Sequence, residues 1–271
     1  MIYKEFPIRV NGSLEYARLT VYVLDTPGKR IDLKVEKRPM MLLCPGGGYA
    51  FTSFREAEPL AMSFLSKGFH VCVLDYSVAP ARFPTQLQEV EEAMRIICEH
   101  SGEWNVDTKH IYIHGASAGG HLACSYGVFW NSEYVKHHIA PAGLILSYPV
   151  ITSDPECAHM DSFYNLLGDS YEDMKEIVSL EKQVTDAMPP TFIWHTDTDA
   201  LVPVENSLLL ATALKRAGVS MELHIFPEGE HGLSLANHLV ETVDGSGVNE
   251  YCACWIGYAH KWLLNQTKKE K

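Results

Sequence analysis

Cationic residues are scarce in this chain: 22 Lys and Arg against 34 Asp and Glu leave a formal net charge of −12 over 271 residues. An acidic balance of that size argues against nucleic acid and anionic membrane as main partners. Long hydrophobic runs are missing as well, and no stretch approaches the roughly 18 consecutive apolar residues of a membrane helix. The opening MIYKEFPIRVNG has no basic segment followed by an apolar core, so no secretory leader is expected and a reducing, cytoplasmic setting is the default. Internal repeats and low-complexity tracts are absent too. The seven cysteines are odd in number and scattered. Cys44, Cys72 and Cys124 fall in apolar stretches where a thiol acts as a small hydrophobe, and Cys252-Ala253-Cys254 has the wrong spacing for a Cys-x-x-Cys redox or zinc motif.

What is present is a chain 46% hydrophobic, enough to bury a large core, and α/β chains of this size are routinely one domain. Over residues 1–36 apolar and polar residues alternate in short runs, as in Arg18-Leu19-Thr20-Val21-Tyr22-Val23, which predicts antiparallel strands. From Met40 the texture changes to short continuous apolar runs: Met40–Leu43, Val71–Leu74, Ile111–Ile113, Leu144–Leu146, Phe192–Trp194 and Leu223–Phe226. Strands buried on both faces read this way, as those of a parallel sheet do. Helical patterns lie between them, near 55–67, 85–100, 118–130, 205–217 and 249–265. The alternation predicts a three-layer α/β/α sandwich with a mostly parallel central sheet, in a single domain over 1–271. The interval 150–188 breaks the alternation and is rich in Asp, Ser, Tyr and Met, so it is expected to form a pocket wall or lid. Lys268–Lys271 reads as a frayed tail.

The chemistry-bearing signal is His114-Gly115-Ala116-Ser117-Ala118-Gly119-Gly120, directly behind Ile111–Ile113. Gly-x-Ser-x-Gly at a strand end is either an ordinary tight turn or a nucleophile elbow, in which the serine hydroxyl stands exposed above the sheet. A serine hydroxyl is a poor nucleophile at neutral pH and needs a base, which in turn needs a group to fix its tautomer. Elbow hydrolases place acid and base after later strands, and two loops qualify: the one beginning His195-Thr196-Asp197-Thr198-Asp199, and Glu228-Gly229-Glu230-His231-Gly232. Asp199 and His231 are the expected acid and base, with Asp197 as rival acid. Of the other histidines, His121 is expected to pack or cap, His114 and His195 to be buried scaffold, and His224 and His238 to be structural or solvated. Gly46-Gly47-Gly48 follows the first core strand. It lacks the Lys-Ser/Thr and the Gly-x-Gly-x-x-Gly spacing of phosphate loops, and its amides, with that of Ala118, suit an oxyanion hole.

Together the Gly-Gly-Gly-Tyr loop, HGASAGGHLA, HTDTDALVPVENS and EHGLSLA resemble the hormone-sensitive-lipase-related branch of the α/β-hydrolases, most closely its small bacterial acetyl-xylan-esterase-like members, over about residues 38–265. The resemblance implies Ser117 as nucleophile, Asp199 (which stands just before a Val-Pro pair) as acid, His231 as base, and Gly47, Gly48 and Ala118 as oxyanion donors. It implies an acyl-enzyme esterase that needs no metal or cofactor. Its substrate would be an acyl ester small molecule, an acetylated sugar or xylo-oligosaccharide. Tyr49, Tyr148 and Phe51 are expected to bound a short acyl pocket, the two tyrosines as substrate-binding residues. Two departures stand out: Pro45 replaces the histidine that usually opens the oxyanion loop, which predicts an altered loop, and Thr196 stands where many relatives have glycine. An amidase-type hydrolase, such as an aryl formamidase or small peptidase, and a non-catalytic receptor on the same scaffold are the alternatives. The oligomeric state stays open, a homo-oligomer included.

Overall fold

The computed structural model describes residues 1–25 and 37–268. The part of the N-terminal strand expectation that falls on 26–36, and the expected tail at 269–271, lie outside the described residues. The chain runs β1 (Ile2–Pro7), β2 (Arg18–Val23), β3 (Arg38–Cys44), α1 (Glu58–Leu65), β4 (His70–Asp75), α2 (Thr85–Glu99), α3 (Ser101–Trp104), β5 (Val106–Ala116) and α4 (Ala118–Phe129). It continues through β6 (Gly143–Ser147), α5 (Met160–Leu167), α6 (Tyr171–Val178), β7 (Thr191–Thr196), α7 (Glu205–Ala217), β8 (Met221–Phe226) and α8 (Trp255–Lys268). The strands form one sheet in the order β1-β2-β4-β3-β5-β6-β7-β8. The two pairings that involve β2 are antiparallel; the other five are parallel.

The continuous apolar runs have a simple cause, since successive strand residues feed two cores. Met40, Leu42 and Cys44 of β3 join one core with Leu87 and Val90 of α2, Leu122 of α4 and Leu210 of α7. Met41 and Leu43 face the opposite core with Phe64 of α1 and Trp255 and Trp262 of α8. This is the expected three-layer sandwich. Helix starts moved where local chemistry dictates: α1 begins at Glu58 because Pro59, lacking an N–H, suits the first helical turn, and a short 3-10 turn precedes it over Phe54–Glu56. The pattern expected over 249–265 becomes a 3-10 turn at Cys252–Cys254 followed by α8. Interval 150–188 carries α5 and α6, whose Phe163, Leu166 and Val178 join the first core.

Several histidines are buried as the neutral form. His121 bonds the Tyr49 hydroxyl through Nδ1 (2.8 Å) and the Val178 carbonyl through Nε2 (2.9 Å), and burial pushes its pKa down to about 4. His114 is pushed to about 3 by burial, and His70 to about 4 by burial and the Arg38 charge. Unfolded, each takes up a proton near about 6.5, so over the window from there to about 4 the unfolded state binds the extra proton and stability falls as pH falls. One such histidine is worth on the order of 3 kcal/mol across the window. Wild type should therefore lose its stability advantage over His121→Gln as the pH is lowered from 6.5 to 4, read by urea unfolding at each pH. A difference that stays constant with pH would refute this account of His121.

Candidate active site

Strand β5 ends at Ala116 and α4 begins at Ala118, leaving Ser117 alone at the turn with φ 53° and ψ −121°. A non-glycine residue there holds of order 1–3 kcal/mol of strain. The flanking glycines serve close approach, not left-handed backbone: a Cβ at Gly115 would lie 2.1 Å from the Gly119 carbonyl oxygen, and one at Gly119 would lie 2.0 Å from that of Cys44. Ser117 is fixed through its own amide, which donates to the Ser147 carbonyl at 3.0 Å, and its carbonyl, which accepts from the Val150 amide at 3.1 Å.

The loop after β7 brings Asp199, and the loop after β8 brings His231. His231 Nδ1 lies 2.7 Å from Asp199 Oδ2, and its Nε2 lies 2.8 Å from Ser117 Oγ. The Asp199 side chain is fully buried, whereas Asp197, two residues earlier, is exposed. Asp199 Oδ1 accepts the amides of Leu201 and Val202, both at 2.9 Å, and His195 Nε2 lies 3.3 Å from Oδ2. Burial alone would raise this carboxyl, but the hydrogen bonds from His195, His231 and Val202 and the nearby imidazole outweigh it and hold the group well below the usual carboxylate range. A charged carboxylate at Nδ1 fixes the tautomer that leaves Nε2 free to accept the serine proton.

Gly47 (φ 130°) and Gly48 (φ 62°) border the same cavity as Ser117 and His231, a space of about 380 Å³. A Cβ at Gly47 would lie 2.1 Å from the Phe51 carbonyl oxygen. Ala118 opens α4, whose first-turn amides have no intrahelical acceptor. Interval 150–188 contributes His159, Asp161 and Asn165 to the wall, and Asn165 Nδ2 donates to the Gly48 carbonyl at 2.9 Å. The rim carries Phe51, 61% exposed, and Leu201.

Residues 32–214 match the BD-FAE family. The chain belongs to the BD-FAE family. It is 40% identical over 246 residues to endo-1,4-beta-xylanase B of Butyrivibrio fibrisolvens, covering 87% of this chain and 36% of that one. It is 33% identical over 194 residues to an acetylxylan esterase of Xylanibacter ruminicola, covering 69% and 39% respectively. The chain thus spans little more than a third of the length of these two curated relatives. The solved acetyl ester-xyloside bifunctional hydrolase of Caldicellulosiruptor lactoaceticus superposes with a TM-score of 0.79 at 35% identity, covering 92% of this chain and 88% of that one. The fold is that of the α/β-hydrolases.

In this BD-FAE member the two tyrosines expected to bind substrate do not border the cavity. Tyr49 is buried, with its hydroxyl on His121. Tyr148 is buried too, with its ring edge-on to His231 at 5.1 Å. Both have left-handed backbone, φ 57° and 37°, so the alternation of the preceding strands does not continue through them. Of the three aromatics, Phe51 alone lines the cavity. The remaining histidines follow expectation: His114 bonds Ser147 Oγ at 2.9 Å, His195 is held by Ser207 Oγ and the Val202 carbonyl, His224 stacks on Tyr258, and His238 is exposed.

Sequence reasoning missed Glu56. It is buried beneath the glycine loop, where Oε2 accepts the Gly46 amide at 2.8 Å and Oε1 accepts the Tyr148 hydroxyl at 2.6 Å. The Tyr148 oxygen accepts the amide of Ser234, on the loop that carries His231, at 2.8 Å. Glu56 therefore ties the glycine loop to the imidazole loop. With the Tyr76 hydroxyl, which donates to the Pro45 carbonyl at 2.7 Å, it props a loop whose usual histidine is replaced by Pro45. Thr196 also has a task here: its hydroxyl and that of Thr198 donate to the Gly229 carbonyl, joining the two loops that carry Asp199 and His231.

A glutamine at 56 has a single carbonyl oxygen and turns an NH₂ toward one of two donors. Glu56→Gln should cost about 1–3 kcal/mol of stability. It should also slow fluorophosphonate labelling of Ser117 by about tenfold, through displacement of the glycine amides beside the serine. Unchanged labelling kinetics would remove Glu56 from any part in positioning the loop.

Proposed function

We propose that the protein is a serine esterase that removes short acyl groups, acetyl above all, from sugars or xylo-oligosaccharides. The observation that carries the reading is the single imidazole that reaches both a buried, ionised carboxylate and the hydroxyl of a strained serine. Ser117 Oγ attacks the ester carbonyl carbon while His231 Nε2 takes its proton. The carbonyl oxygen becomes an oxyanion facing the amides of Gly47, Gly48 and Ala118. Collapse breaks the bond to the alcohol, which leaves with the proton from His231, and acetyl-Ser117 remains. Water, deprotonated by His231, then attacks the acyl-enzyme, and acetate departs as Ser117 recovers its proton.

The sugar ester is supported by the names of relatives, an acetylxylan esterase and an acetyl ester-xyloside hydrolase. The short acyl group is supported by the same two names. The seven cysteines are all unpaired, which supports a reducing, cytoplasmic setting.

Ser117→Ala should abolish hydrolysis of p-nitrophenyl acetate while leaving the melting temperature close to wild type, because little volume is lost at the turn. Asp199→Asn should lower kcat by about 10³–10⁴-fold, as loss of the tautomer-fixing carboxylate does elsewhere, and Asp197→Asn should change it little. The reverse ranking would transfer the role of acid to Asp197. Acetyl esters should be turned over faster than octanoyl esters; the opposite preference would point to a lipid esterase.

A further inference from the structure

A second cavity, of about 230 Å³, lies across the Thr52-Ser53-Phe54 ridge from the first, and Ser53 lines both. Its floor is one face of the antiparallel corner of the sheet. Alternate residues of β1, β2 and β4 point there, and the register sets Tyr3 beside Tyr22 and Arg18 beside Asp75. The proposed chemistry at Ser117 makes no use of this surface. From its residues we propose that it binds the unacetylated sugar units of a neutral, xylose-type oligosaccharide whose acetylated unit sits at Ser117. The proposal rests on the sugar-esterase reading and adds where the rest of an oligosaccharide is held.

The acceptors are held in advance. Arg18 Nε lies 3.1 Å from Asp75 Oδ2 and 3.8 Å from Glu5 Oε1, the Tyr3 hydroxyl donates to Glu5 Oε1 at 2.8 Å, and the Thr52 hydroxyl donates to Asp75 Oδ1 at 3.2 Å. An ionised carboxylate has about four lone-pair sites, so both groups keep capacity for further donors, and sugar hydroxyls are donors. Beside them stand aromatic faces left in water: Phe54 is 69% and Tyr3 58% exposed, and Phe51 continues the strip on the Ser117 side of the ridge. Exposed apolar surface next to prearranged acceptors suits a pyranose, which presents C–H faces and hydroxyl edges. An acyl chain would leave the carboxylates desolvated, and an anionic ligand would meet Glu5, Asp75 and Glu58 against a single Arg18. Ser53 borders both cavities, so the two adjoin, as they must for one chain to occupy both.

The test compares kcat/KM for p-nitrophenyl acetate, acetylated xylose and acetylated xylotetraose in wild type, Tyr3→Ala and Phe54→Ala. Wild type should prefer the tetraose to the monosaccharide. Each variant should lose about 5–10-fold on the tetraose, carried by KM, a loss of roughly 1–1.4 kcal/mol of binding. Losses on the other two substrates should be no more than about twofold. Equal losses on all three substrates, or no loss on the tetraose, would overturn the distal subsite while leaving the sugar-esterase reading in place. Turnover of p-nitrophenyl acetate by wild type with neither acetylated sugar accepted would overturn the sugar reading itself, and the subsite with it.

Discussion

Helix α4 packs against the end of β3 with no room for a side chain: a Cβ at Gly119 would lie 2.0 Å from the Cys44 carbonyl oxygen. The geometry of the site follows from that approach. With α4 pressed onto the strand end, the chain between β5 and α4 has one residue in which to reverse, and Ser117 takes the strained dihedrals. The same approach brings the segment after Cys44 alongside the serine. A Cβ at Gly46 would lie 2.9 Å from Ser117 Cβ and 2.8 Å from the Ala116 carbonyl oxygen. Glycine in this loop is therefore a consequence of packing density as much as of any need for exposed amides.

A loop of glycines that close to Ser117 has few side chains with which to hold itself. Its anchors come from elsewhere: Glu56 on the Gly46 amide, Tyr76 on the Pro45 carbonyl and Asn165 on the Gly48 carbonyl. Asn165 belongs to the 150–188 interval, so that segment is coupled to the loop geometry as well as forming a wall of the cavity. Glu56 is the costliest of these anchors, because a buried carboxylate is tolerated only while its lone pairs are engaged. Tyr148 engages one oxygen and passes the constraint to Ser234, three residues beyond His231. Electrostatic preorganisation demands such rigidity, since donors that must reorganise during the reaction stabilise charge less well.

The layered sheet was legible because burial on both faces writes itself as unbroken apolar runs; β1 is the largely exposed strand, whereas β2 alternates in sequence yet is buried from Leu19 to Val23, Thr20 and Tyr22 included. Ser117, Asp199 and His231 could be proposed because each follows a strand end, where position in the sequence determines position in the fold. Glu56 could not. Its partners are 10 and 92 residues away, and in Phe54-Arg55-Glu56-Ala57 it reads like any acidic residue at a helix start. The tyrosines failed for a related reason: sequence placed Tyr49 and Tyr148 near the right strand ends, but left-handed backbone at both decides where the rings go, and no pattern of apolar residues encodes it.

Thirteen histidines give this chain many imidazoles from which to draw a base, and burial separates them. A base must be paired with an acid, and it must also reach the substrate. His114 and His121 are sealed in the cores, where desolvation opposes the charged form so strongly that neither can hold a proton near neutrality. His195 has no exposed surface; its Nδ1 is held by Ser207, and its Nε2 is shared between the Val202 carbonyl and Asp199. His159 faces the cavity with Nδ1 on the Ser162 hydroxyl, and burial and the neighbouring His231 lower its pKa, so it too resists charging. His231 combines a buried carboxylate on one nitrogen with a side chain that keeps 13% of its surface open, on the cavity side where Ser117 waits. Asp199 discriminates between two imidazoles within its reach by where each can go: one is locked beneath it as support, and the other is left an open edge to the cavity.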